Sequence, residues 1–254
     1  MTLPTPPEAE IDARLAEIVR SHRDADTLAM RAVAAIGGRA EAALHRLPPE
    51  MRTALDRTTE SALRSLVDVA ARSRGVLPDQ SGRVSVAMTT ALGAAGGTGG
   101  LPTALAELPV TVTMLFRAIQ AVAVEHGFDP DDLETRKLCL SVFAEAGPLA
   151  RDDGADTGFL ATRIALRGTT VQAMIARVAP RLATALGQKL GAQAVPVLGA
   201  AAGAATNYAY VTFYTAMARV VFGLRALERD TGRSYPVLVA EMAARVSENP
   251  AARA

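Results

Sequence analysis

The chain lacks tryptophan and has only six phenylalanines and four tyrosines in 254 residues. A core built from it cannot rest on large rings. Alanine dominates the apolar half of the composition, and small side chains bury little area each, so helices must approach closely to gain contact. There is one cysteine, Cys139. That excludes an internal disulfide framework and a cysteine-only metal centre, and it fits a reducing compartment. There are only two lysines, Lys137 and Lys189, against an arginine-rich remainder. Neither lies near the glycine run from Gly93 to Gly100, so the GxxxxGK[ST] phosphate motif is missing there. The three histidines, His22, His45 and His126, are far apart and none has a partner four residues on, which excludes the HExxH zinc helix. No GxSxG elbow is present for a serine hydrolase. Net charge is +1, with acids and bases interspersed. Without a basic stripe bearing aromatics, nucleic acid is not an expected partner. The first twenty residues carry prolines and acids rather than a basic segment followed by an apolar one, so no secretory signal is read and a cytoplasmic location is expected.

Alternating strand patterns and fixed-period repeats are absent too. What is present is helical spacing, and the expected fold is all-α: a single compact multi-helix domain of about nine to eleven helices, with a central Ala/Gly-rich helical hairpin. Ile11, Leu15, Ile18 and Val19 place a helix over 8–20, and another is read over 27–47, interrupted at Gly37-Gly38. Pro48-Pro49 opens a third, over 50–73, with an apolar face containing Leu55, Leu63 and Leu66 and a charged face containing Arg52, Arg57, Glu60 and Arg64. A buried helix is expected through "VTVTMLFRAIQAVAVEHGF", ending at Gly127. Asp129 as a cap, Pro130 in the first turn and Asp132 behind it predict a helix from there to about Ala146. Helices follow at 159–176 and 180–190, then one running from the second apolar stretch to Gly232, then a last one starting near Ser234 or Tyr235. Residues 1–49 read as an N-terminal helical extension, 50–249 as the main helical domain and 250–254 as a tail.

Two uncharged runs stand out, 84–106 and 190–218. The first holds Gly93, Gly96, Gly97, Gly99 and Gly100 and then Pro102. It lacks the GxGxxG spacing and the preceding strand of a dinucleotide site. It is long enough to span a bilayer, but Val84, Val86, Leu92, Leu101 and Leu105 supply only ~2 kcal/mol of insertion energy, and Glu107 opposes it. A buried hairpin of close-packed helices is the favoured reading. Gly96, Gly97, Gly99 and Gly100 in the first run, and Gly199 and Gly203 in the second, are the expected close-packing glycines. Such spacing also serves membrane helices, so the motif alone leaves both settings open.

Two segments carry a family resemblance. One is "LPVTVTMLFRAIQAVAVEHGFDPDD", with the turn His126-Gly127-Phe128-Asp129-Pro130. The other is "VPVLGAAAGAATNYAYVTFYTAMARVVFGLRALER", with its Pro196 to Tyr208 stretch. In this order they resemble the EcsC protein family over roughly residues 50 to 245. His126 stands where the family pattern has tyrosine. The resemblance implies a helical bacterial protein first known beside an ABC transporter operon, and it brings no established activity.

Candidate site residues are few. Glu107 is the only charge between Val84 and Phe116. A lone carboxylate in apolar surroundings would act as an acid or base, and the competing reading is a first-turn glutamate of a helix restarting near Pro109. Arg117 follows it. Asn207, Tyr210 and Tyr214 fall on one helical face with Tyr208 beside them, either as a polar lining for a ligand or lipid head group or as buried hydrogen-bonding groups. Cys139, between Leu138 and Leu140, reads as inert core, and the acidic loop at Asp152, Asp153 and Asp156 lacks the calcium-loop pattern. No metal or cofactor is expected. The expected function is that of a non-catalytic, peripheral membrane- or lipid-associated accessory protein, linked to a membrane-protein partner such as an ABC transporter. The alternatives are a hydrolase using the carboxylate or the Asn-Tyr face, and a plain interaction scaffold.

Overall fold

The computed structural model describes residues 6–25, 48–73, 100–144, 170–193 and 199–248. All elements among them are helices: α1 (Glu8–Asp24), α2 (Pro49–Ser73), α3 (Gly100–Glu125), α4 (Leu133–Val142), α5 (Val171–Gln193), α6 (Gly199–Thr231) and α7 (Tyr235–Ser247). The chain is all-α, as expected. The helix read over 27–47, the glycines from Gly93 to Gly99 and the acidic loop lie outside the described residues.

The long α6 organises the rest. Its 33 residues span about 50 Å at 1.5 Å per residue, and it packs against α1, α3, α4, α5 and α7. Two apolar clusters meet it. The larger gathers Leu63 and Leu66 of α2, Leu115, Phe116 and Ile119 of α3, Leu140 of α4, Leu182 and Leu186 of α5, and Tyr210, Tyr214 and Phe222 of α6. Alanines at 183, 185, 209, 216 and 218 are buried among them, so small residues do supply much of this core. The smaller cluster joins Ile11, Leu15 and Ile18 of α1, Leu224 and Leu227 of α6, and Tyr235, Leu238 and Met242 of α7. Gly223 marks the change-over, since a Cβ there would stand 2.8 Å from Ile18 Cγ1, closer than packed carbons tolerate.

The helix ends explain the quoted turn. The Phe128 amide donates to the Ala123 carbonyl and the Gly127 amide to that of Val124, at 3.0 and 2.9 Å. This is a Schellman closure of α3, and it requires the positive φ of 76° that Gly127 adopts. Arg229 of α6 seals it: Nη1 donates to the carbonyls of His126 and Gly127, each at 3.3 Å, and the guanidinium lies 5.1 Å from the Phe128 ring centre. His126 Nδ1 donates to the Val122 carbonyl at 2.8 Å, a role confined to the end of its own helix.

Three boundaries differ from expectation. Asp132, not Asp129, caps α4, with its Oδ2 accepting from the Thr135 amide at 2.9 Å. Asp129 instead accepts from the Asp131 amide in a tight turn, because Pro130 falls inside that turn. Helix α4 also stops at Val142, short of Ala146, with Phe143 and Ala144 in a turn. Neither Pro180 nor Pro109 opens a helix; both lie inside, in α5 and α3. A proline removes one backbone donor. Here the buried residues on either side, Val178 and Leu182 in one case and Leu108 and Val112 in the other, hold the helix to the core across the gap.

Candidate functional site

The polar residues singled out from sequence do not converge on one opening. Asn207, Tyr210 and Tyr214 are fully buried, whereas Tyr208 is exposed on the opposite side of α6. The Tyr210 hydroxyl donates to the Ala185 carbonyl of α5. Burial, with a smaller contribution from neighbouring Tyr214, pushes the Tyr210 phenol well above its ordinary range, so it stays protonated. Tyr214 stands edge-on to Phe143 at 5.2 Å and to Phe213 at 5.3 Å. This face is an aromatic joint between α4, α5 and α6, and solvent does not reach it. Cys139 is likewise buried core.

Glu107 and Arg117 are both partly exposed residues of α3, roughly 15 Å apart along its axis. Because α3 begins at Gly100 and passes through Pro109, Glu107 lies beyond the first turn, and the reading of a helix restarting at Pro109 is corrected. Gly100, Gly199 and Gly203 lie in the opening turns of α3 and α6; Gly96, Gly97 and Gly99 fall outside the described residues. Among the described residues no group of three or more His, Cys, Asp or Glu side chains is placed to hold a metal ion.

What the structure does form is a groove of about 550 Å³ between α2 and α3. Its α2 wall is Arg57, Thr58, Ser61 and Ser65, with Ala62 at the floor; its α3 wall is Pro109, Val110, Thr113 and Met114. The two walls differ in chemistry. Arg57, Ser61 and Ser65 recur every four residues and therefore share one helix face. Across from them Val110 is 50% exposed, unusual for a valine in the middle of a long helix. Arg57 makes no ion pair among the described residues, while its neighbour Arg64 is held by Glu60 at 2.6 Å.

Sequence reasoning missed this groove. It assigned Arg57 to the solvated face of an amphipathic helix, and the serines drew no notice. The available signal was that hydroxyls, rather than charges, follow Arg57 at four-residue intervals.

The model of the EcsC protein family matches residues 42–227. The chain belongs to the EcsC protein family. The EcsC match takes in both walls of the groove, the larger apolar cluster apart from Ala25, and nearly all of α6, and it leaves α1 and α7 outside. No curated protein and no solved structure matches the chain.

Proposed function

We propose that this EcsC protein is a peripheral, lipid-associated accessory protein acting at the cytoplasmic membrane face beside a membrane-protein partner, an ABC transporter in the first instance, and performing no catalysis. The observation that carries this reading is the outer face of α3. Leu105–Glu125 has a mean hydropathy of 1.4, high and long enough to cross a membrane by length and composition, and 56% of its most apolar stretch is buried in the bundle. The inner side is therefore engaged in the core. The outer side exposes Ala106, Pro109, Val110 and Val124, with Ala121 partly exposed, and Arg117 is the only charge between Glu107 and Glu125. A helix with one face committed to protein and the other apolar suits the boundary between head groups and acyl chains, where binding scales with the apolar area inserted. The transporter link rests on the family resemblance. The absence of catalysis is favoured by the closure of the Asn207–Tyr214 face against solvent.

The test is co-sedimentation with phosphatidylglycerol/phosphatidylethanolamine vesicles. The chain should pellet with them, and Val110→Asp should abolish pelleting while the circular dichroism melt stays cooperative. Failure to pellet with any lipid mixture would remove the reading.

A further inference from the structure

The groove between α2 and α3 adjoins the outer face of α3, and its two unlike walls say more about what it holds than the face alone does. Pro109, Val110 and Met114 offer an apolar strip, and Arg57, Thr58 and Ser61 offer a cation and hydroxyls. Resting on the lipid reading above, the geometry points to a site for one acyl chain of an anionic single-chain lipid, with its head group on Arg57.

Three observations fit that occupant. The volume of about 550 Å³ falls within the range of roughly 300–1,000 Å³ usual for small-molecule sites. The α2 wall from Arg57 to Ser65 runs about 12 Å at the helical rise, long enough to seat part of one extended acyl chain. Finally, Arg57 has no carboxylate partner among the described residues, so an anionic head group would supply the counter-charge, its oxygens accepting from a planar donor set.

The absence of tryptophan makes the test direct. In Val110→Trp the single indole reports from the groove; in Val237→Trp it reports from an exposed position on α7, outside the groove. Each full-length variant is titrated with oleoyl lysophosphatidylglycerol below its micelle concentration. The expected result is a saturable blue shift for Val110→Trp and none for Val237→Trp. Adding Arg57→Ala should weaken the apparent affinity roughly fivefold, Arg57→Lys, which keeps the charge without the planar donor set, should restore only part of it, and lysophosphatidylcholine should bind more weakly and ignore Arg57→Ala. No shift at Val110→Trp, an equal shift at Val237→Trp, or an anionic preference untouched by Arg57→Ala would each overturn the assignment. Vesicle pelleting that persists without a groove response defeats the groove and leaves the membrane reading standing. A groove response without pelleting supports the groove and defeats the membrane reading.

Discussion

The two apolar clusters strung along α6 are held together differently. Around the larger one, three ion pairs are local: Glu60–Arg64 within α2, Glu134–Lys137 within α4, and Asp131–Arg136 across the turn that opens α4. Its helices meet through ring packing, with Phe143 stacked on Phe116 and edge-on to Tyr214, and through close alanine contacts. Around the smaller cluster, pairs cross between elements. Arg14 of α1 meets Asp230 of α6 at 2.9 Å, Arg233 meets Glu8 at 2.7 Å, and Arg245 of α7 reaches Asp12 of α1. Arg225 also lies 3.9 Å over the Tyr235 ring and pairs with Glu228, whose other oxygen accepts from the Tyr235 amide. The lesson concerns size. A 17-residue helix such as α1 is marginal alone and buries one narrow stripe. Surface pairs add little energy, but they fix which way it docks. Apart from Ala25, the larger cluster lies within the span of the EcsC match, and α1 and α7 lie outside it.

If the contrast is right, damage to the larger cluster should melt everything, and damage to the smaller should release only α1 and α7. Phe143→Ala removes a fully buried ring stacked on Phe116 and edge-on to Tyr214, and should lose about 3–5 kcal/mol of global stability in urea unfolding. Gly223→Val drives a side chain into Ile18. Overpacking of about 1–3 kcal/mol should appear as lost hydrogen-exchange protection in α1 and α7, with α2 to α5 still protected; simultaneous loss in both regions would break the comparison. Tyr210→Phe deletes the hydroxyl bonded to Ala185 and should cost about 1 kcal/mol, with unchanged α1 protection.

Acid should loosen the small cluster. The Arg229 side chain, opposed by partial burial and then aided by Arg14, holds Asp230 below the ordinary aspartate range. A depressed folded-state value means that its contribution is complete above the unfolded-state value of about 3.9. That contribution is lost as pH falls from there through the lowered value, so α1 protection should decline in that window and be spared by Asp230→Asn, which starts without it. Glu8→Gln, at an exposed pair with Arg233, should leave stability nearly unchanged, with any difference vanishing in high salt.

Much of the fold was legible because helical spacing and helix ends are local. The stripe Ile11, Leu15, Ile18 and Val19 is buried as its spacing foretold, and Gly127 ends α3 as a positive-φ residue should. The errors came where packing overrode a local rule. Pro109 and Pro180 are breakers by chemistry, and a buried leucine on one side and a buried valine on the other carry the helix through each. The groove was illegible for a different reason: its walls are separated by more than forty residues, and Arg57 looks like any solvated arginine until Val110 is placed opposite it.

Sequence alone settled that this chain is helical, tightly packed by small residues and an EcsC relative, since periodicity, composition and motif order are properties of the chain itself. Only tertiary structure decided that the Asn207, Tyr210 and Tyr214 face turns inward and that the valine of α3 turns outward. A helix defines its faces, but which one meets the core depends on what other helices bring to it.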